Sequence, residues 1–546
     1  MVKYITHKVF YKKFSKISYK MYFIDSVHYG IIIYELKAKG VFMKKEQKNA
    51  TNFDTFINSS NPTNATKRES YMQNKSEKKQ QKKEAKLLRK QNIKADKAKQ
   101  KELKAIKRQQ AKQKRQDRIK KLYTKNKLAD WFKLDNAGTL YPSIKDENWS
   151  FVVRFFACLN EQVDPEKLQQ AVQDTMPRFP TFNVGLKPGL FWNYFEEKST
   201  VPKVQKEEKF PCSSFELYDP KSHIVRVLYY NNRISVECFH AVADGRSILK
   251  FFNSLLRRYF ILCGTKIDCT LGAVEVLDKP RSEEKIDAFN RFCTNGKKAK
   301  YKEQKAFHIK GTNEEFGVCN AIMGTMSVNQ LKEVAKSYNA TITEYIVAEL
   351  AYAIYKLNPK HNRPIKMSVP IDLRQFFETE TLRNFSAYIN VEIPPKADGY
   401  ILQDIIDIIK HAFTEITKEN MQAFINNNVG MQKNIFIKLA PLKLKNMIIK
   451  LAYHAVGEAY QTMNVSNIGK VVAPPEFAEK IIKYGVNLGR PKYNAKTVGV
   501  ISFQDNCVIT ISSKIKETNI EEEFFKSLSA KGIQILIESN RRDYYA

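Results

Sequence analysis

The stretch Arg233 to Ser247, RISVECFHAVADGRS, decides how the rest of the chain is read. Its first seven residues are rich in β-branched and aromatic side chains, and Asn231-Asn232 before them is a turn dipeptide. Together they predict the second strand of a hairpin, His223–Tyr230 with Arg233–Phe239. From Ser247 to about Phe260 the apolar residues recur at helical spacing. A corner is left between strand and helix: His240-Ala241-Val242-Ala243-Asp244-Gly245. It presents an imidazole at the edge of a lobe, and imidazole is the usual general base near neutral pH. Asp244 is close enough to bind the turn, and Gly245 permits a backbone shape that a side chain would block. With only 8 His and 20 Gly in 546 residues, His-x-x-x-Asp-Gly has about 0.01 chance matches in such a chain.

Outward from this corner, helix and strand signals alternate. On the N-terminal side, Phe151–Leu159 reads as a strand. Asp164-Pro165-Glu166 opens a helix with an N-cap acid, a proline at the first position and an acid at the dipole's positive end. That helix presents Leu168, Ala171, Val172 and Thr175 on one face, and Phe182–Phe195 follows as a hairpin turning at Lys187-Pro188-Gly189. A second cycle begins with a strand over Gly317–Met326 and a helix over Val328–Ser337. A long apolar helix runs to Tyr355, and strands are predicted at Ile365–Ile371 and Ser386–Ile393. A helical run over Leu402–Met421 follows, then strands near Thr462–Asn467, Val498–Phe503 and Cys507–Ser512, and a last helix over Ile520–Ala530. The element order predicts a mixed α/β (α+β) fold of two similar-sized lobes, 128–315 and 316–546, without a sequence repeat between them.

The chain carries 92 Lys+Arg against 57 Asp+Glu, a net charge of +35, and the excess is local. Residues 67–127 hold +19, residues 1–66 hold +7, and everything from 128 onward only +9. The basic arm, 65–127, has no Gly or Pro after Lys67, and its apolar residues are too sparse for a heptad seam. It reads as a solvated helix or a disordered tail. It can touch RNA or ribosomes by counterion release, lie on anionic lipid, or have no specific role. Residues 1–64 read as poorly ordered, and 1–42 as a possible upstream extension of the translated sequence. The eight cysteines form no C-x-x-C pair and read as reduced core residues. No apolar run is long enough to span a bilayer, and Ser26–Tyr34 lacks a cleavage signal, which predicts a soluble cytoplasmic protein, peripheral at the membrane if the acceptor is lipidic. Ile435–Leu451 mixes Lys with large apolar residues. It could lie on a membrane surface, but Pro441 interrupts it and a core-facing helix pair is the preferred reading. There is no H-E-x-x-H and no Walker-type loop, and no metal is predicted.

The His-x-x-x-Asp-Gly motif resembles the active-site signature of the chloramphenicol acetyltransferase-like superfamily. That group includes dihydrolipoyl acyltransferases, condensation domains of nonribosomal peptide synthetases, plant BAHD acyltransferases and alcohol acetyltransferases. WFKLDNAGTLYP (131–142), MPRFPTFNVGLKPGLFWNYFE (176–196), VPIDLRQFF (369–377), TLRNFSAYI (381–389) and VSNIG (465–469) are similar to bacterial alcohol-acetyltransferase-like proteins. The resemblance covers about 128–546 and leaves out the basic arm. Condensation domains usually carry two adjacent His, and here the first place is Phe239, which favours a stand-alone transferase.

The resemblance implies a two-lobed pseudo-dimer with a tunnel between the lobes, reached by an acyl thioester from one mouth and by an alcohol or amine from the other. It implies acyl-CoA as cosubstrate, short-chain and above all acetyl, no permanently bound cofactor, and a monomer. Carried over by position, His240 is the general base, Asp244 is structural and paired with an Arg, for which Arg374 is the candidate, and Gly245 shapes the turn. Ser466 or Asn467 supplies a donor to the oxyanion, although the DFGWG motif of the plant enzymes is absent. The competing reading is a catalytically silent protein of this fold that binds RNA, ribosome or anionic membrane through its arm.

Overall fold

The computed structural model describes residues 21–26, 29–34, 130–145, 149–296, 304–432, 439–456, 458–491 and 494–541. The expectations for the basic arm, and for nearly all of 1–64, lie outside these residues.

The mixed α/β architecture is the one expected, with two large cores and a smaller third cluster around Phe289, Phe377 and Phe385 among the described residues. The first core forms around a five-stranded sheet ordered Ile481–Leu488, Val152–Leu159, Arg233–Phe239, Val225–Tyr230 and Gln205–Lys206. Val152–Leu159 is central and buried along almost its whole length, hence its unbroken run of apolar residues. Its one cation, Arg154, is held between Glu207 at 2.6 Å and Glu237 at 3.3 Å. The helix Pro165–Thr175 is capped by Asp164, which accepts from the backbone N–H groups of Glu166 and Lys167. It packs against Gly245–Leu262, where Phe251 stacks on Phe182 at 4.8 Å.

The second core lies on a nine-stranded sheet that runs from the hairpin Met21–Ser26 and Tyr29–Tyr34 through Ile535–Ser539, Asn320–Ser327, Asn506–Ser513, Lys496–Phe503, Met463–Lys470 and Ile365–Asp372 to Ser386–Ile393. The helices Ile342–Leu357, Leu402–Thr414 and Asn519–Ala530 bury their apolar faces on it. Trp131–Lys133, Asn193–Glu197 and Val184–Pro188 form a small third sheet.

Among the departures from the sequence reading, which include the unpredicted strands Trp131–Lys133 and Gln205–Lys206 and helices Leu140–Ile144 and Ala288–Phe292, four change the picture most. Ile481–Leu488, read as no element, is a strand of the first sheet, antiparallel to Val152–Leu159, so the second half of the chain completes the first core. Ile535–Ser539 is a further unpredicted strand. The helical run over Leu402–Met421 is two helices, Leu402–Thr414 and Lys418–Gln432: the first ends at its C-cap Glu415, and the Thr417 hydroxyl caps the second by accepting from the N–H of Asn420. The segment Ile435–Leu451 overlaps a helix, Leu442–Val456, whose Leu444, Met447, Ile448 and Leu451 are exposed where a core-facing helix was expected. Among the described residues no helix is long and apolar enough to cross a membrane.

Candidate active site

His240 stands where the strand Arg233–Phe239 ends. Its backbone N–H donates to the carbonyl of Phe151 at 2.8 Å, the residue that enters the neighbouring strand. Phe151 has φ +49°, a conformation that a bulky residue adopts only when its surroundings impose it. Trp149 at 3.6 Å and Tyr141 at 5.0 Å between ring centroids wedge its ring in place. The imidazole in turn stacks on Tyr141 at 4.8 Å and 20°. Burial pushes the His240 pKa below its ordinary 6.5, against its own carbonyl, Asp244, Asn384 and Ala243, which favour the charged ring. A neutral imidazole at pH 7 is a base ready to accept a proton.

Asp244 faces away from that ring. One carboxylate oxygen accepts from Arg374 at 2.8 Å and from the N–H of Phe385 at 2.8 Å, and the other caps the helix Gly245–Leu262 through the N–H of Ser247 at 3.1 Å. Burial alone would raise its pKa, but Arg374 and the two N–H groups outweigh burial and hold the carboxyl below its usual range. Arg374 sits in the short 3-10 turn after the strand Ile365–Asp372. Its remaining donors reach Ser247, Asp372 and the carbonyls of Thr381 and Arg383 at 2.8–3.2 Å. The pair, 130 positions apart in sequence, thereby ties the first half of the chain to the second.

Gly245 is the first helical residue and its φ is not positive, so the expected need for a special backbone shape is absent. The constraint is a close approach: a Cβ there would lie 3.0 Å from Cδ1 of Ile468 on the opposing strand.

That strand, Met463–Lys470, carries the two oxyanion candidates, and the structure separates them. A bulge between Asn467 and Gly469, with Gly469 at φ +79°, breaks the register with Lys496–Phe503. Asn467 spends its side chain on local bonds, donating to the Thr343 hydroxyl at 2.8 Å and accepting from the Gly469 N–H at 2.8 Å. Ser466 and Asn467 both line the cavity that His240 lines, so what separates them is this commitment of Asn467. One turn of strand away, Asn464 Oδ1 and Thr497 Oγ1, partners in register, are buried and have no hydrogen-bond partner among the described residues.

The cavity has a volume of about 880 Å³ and is walled by both halves of the chain: Tyr141, His240 and Gly245 from the first, Arg374, Ser466 and Thr497 from the second. Among the described residues no group of His, Cys, Asp and Glu is placed to hold a metal ion.

Sequence reasoning missed Tyr141 and Asn384, although both lie inside stretches that carried the resemblance. Buried Asn384 donates to Asp135 at 3.1 Å and to the carbonyl of Ala241 at 3.2 Å, holding the loop beside the imidazole. Burial pushes the Asp135 carboxyl up to about 6, against Arg383 and the bonds from Gly138 and Asn384. Burial also raises the Tyr141 phenol, so it stays a neutral donor.

No family model matches the chain, and no curated protein matches it. Solved structures similar to it include polyketide synthase associated protein 5 from Mycobacterium tuberculosis, with 13% identity, a TM-score of 0.45, and coverage of 72% of this chain and 96% of that one. The epimerization domain from the third module of tyrocidine synthetase B has 12% identity and a TM-score of 0.47, over 74% and 96% of the two chains. Wax ester synthase/diacylglycerol acyltransferase from Marinobacter aquaeolei VT8 has 12% identity and a TM-score of 0.44, over 73% and 98%. At these identities and scores, what the cavity does has to be read from its own geometry.

Proposed function

We propose that the protein is an acyltransferase that moves an acyl group, short and above all acetyl, from a CoA thioester to an alcohol or amine. The observation that carries this reading is the division of labour at the corner. Asp244 is consumed by Arg374 and two backbone N–H groups, which leaves a neutral His240 imidazole facing a cavity with walls from both halves.

In this reading His240 accepts the proton of the acceptor's O–H or N–H as that atom attacks the thioester carbonyl. The C=O electron pair moves onto oxygen, and in this reading the Ser466 hydroxyl, which lines the cavity, donates to the resulting oxyanion. Collapse of the tetrahedral intermediate breaks the C–S bond, and the imidazolium returns its proton to the departing thiolate. Arg374 and Asp244 are positioning residues. They hold the helix start and the loop that carry the base, and touch no reacting atom. The unpartnered Asn464 and Thr497 atoms offer hydrogen bonds to polar groups along an extended thioester.

The test is thiol release by the full chain from short and longer acyl-CoA esters, with a panel of alcohols and amines. Acceptor-dependent release that falls about 10²–10⁴-fold in His240→Ala, with an unchanged circular dichroism spectrum, supports the reading. Release that survives His240→Ala, or no release with any ester, overturns it and leaves a fold without this chemistry.

A further inference from the structure

The helix Leu442–Val456 is built the wrong way round for a surface helix in water. Its inner stripe, Leu442, Lys445, Asn446 and Ile449, includes the polar residues. Its outer stripe at i, i+3, i+4 and i+7 is Leu444, Met447, Ile448 and Leu451, exposed by 45%, 54%, 50% and 62%. The inner face is fastened by specific bonds. Lys445 Nζ donates to the carbonyl of Phe191 at 2.8 Å and lies 3.3 Å from the centroid of the Trp192 ring. The N–H of Leu442 donates to the carbonyl of Leu190 at 2.9 Å, and Asn446 accepts from Ser143 at 2.8 Å. The orientation is therefore set by contacts and is not a loose end of chain.

The turn that receives the helix extends the apolar surface. Leu190 is 75% exposed and Phe191 is exposed beside it, as is Leu439 just before the helix. Monomers in water rarely leave so many large apolar side chains contiguous. What covers them is indicated by charge. From Asn420 to Gly457 there is no Asp or Glu and there are five Lys; Lys443 and Lys450 are exposed on the same helix as the apolar stripe. A second copy of the chain would bring like charges together, whereas a surface of phosphates would not.

We propose that the face formed by the helix Leu442–Val456 and the turn at Leu190-Phe191 docks on an anionic lipid bilayer. Leu444, Met447, Ile448 and Leu451 enter the interfacial region, while Lys443 and Lys450 meet lipid phosphates. Through Asn446 the docked helix touches the helix Leu140–Ile144, whose Tyr141 stacks on His240, so the membrane face lies one short helix from the base. The proposal stands on this surface alone and survives or fails independently of the acyltransferase reading.

The test uses the full chain with vesicles of phosphatidylglycerol and phosphatidylcholine, at a salt concentration that screens the basic arm. A Leu451→Trp reporter is expected to be quenched by brominated lipid, and Met447→Glu/Leu451→Glu to lower vesicle binding about tenfold or more. Met447→Gln/Leu451→Gln repeats the measurement should the first pair impair folding. With the salt lowered so that Lys443 and Lys450 are no longer screened, vesicles of phosphatidylcholine alone should bind distinctly more weakly. Binding without quenching of the reporter shows that the arm alone holds the lipid and overturns the proposal. Undiminished binding of both double variants overturns it as well. So does a dimer in size-exclusion chromatography that the substitutions dissociate, because a second copy then covers the face.

Discussion

The two walls of the cavity are built on opposite principles. On the His240 wall, the network around Asp244 is used up inside the protein: both Asp244 oxygens and all the Arg374 nitrogens have partners at 2.8–3.2 Å, while Nδ1 of His240 is buried without a partner among the described residues. On the facing strand, Met463–Lys470, a bulge interrupts the ladder, and Asn464 Oδ1 and its neighbour Thr497 Oγ1 have no partner among the described residues. Saturated networks resist movement, and unsaturated buried groups await a ligand, because a buried polar atom without a partner costs free energy until something meets it. The comparison sets a closed network around Asp244 against open groups on the facing strand.

The largest effect that would break this comparison is at Arg374. Arg374→Ala leaves the buried Asp244 carboxylate without its cation and should cost about 3–5 kcal/mol in denaturant unfolding. An added Asp244→Ala should recover part of that loss, because the stranded charge goes with it. If Arg374→Ala were as stable as the wild type, the first wall would not be a closed network.

Next comes the facing strand. Ser466→Ala should lower turnover by about 10²–10³-fold if its hydroxyl serves the oxyanion. Asn467→Ala should show its effect mainly in thermal stability, because its side chain is committed to Thr343 and Gly469. The reverse pattern would exchange their roles.

A smaller effect sharpens the part played by Asn384. Removing it should cost about 1–3 kcal/mol of stability by taking one donor from the buried Asp135 and one from the Ala241 carbonyl. It also has a sign in pH. The base works only when neutral, so kcat/KM should fall as pH drops through a value below 6.5, where burial puts His240. Asn384 favours the charged ring, so Asn384→Ala should move that acid limb to still lower pH. A merely structural role would leave the limb where it is.

The smallest is Gly245→Ala. Its new methyl meets the end of a flexible Ile468 side chain at 3.0 Å, and a loss of about 1 kcal/mol, relieved by Ile468→Val, is expected in thermal unfolding.

Much of the fold was legible because it follows from local physics. Strand Arg233–Phe239 and the helix from Val328 to Ser337 appear where periodicity put them, and Asp164 and Asp244 cap helices as short acidic residues do. Ile481–Leu488 was missed because IIKYGVNL has no clean alternation. Its strand character comes from pairing with Val152–Leu159, and nothing near it in sequence announces that partner. Asn384 and Tyr141 were missed for a similar reason: an amide or a phenol has no pattern of its own, and only its neighbours reveal its task.

Residues close in sequence thus settled the corner that bears His240, since strand, turn and cap each depend on a few consecutive side chains. The resemblance offered Arg374 as the candidate for Asp244; the tertiary structure alone decided that the two meet, that Asn467 is committed to Thr343 although it lines the cavity with Ser466, and that the helix Leu442–Val456 turns Leu444 and Leu451 outward. Each of these is a choice of partner between distant segments, and burial and hydrogen bonding make that choice only once the whole chain has packed.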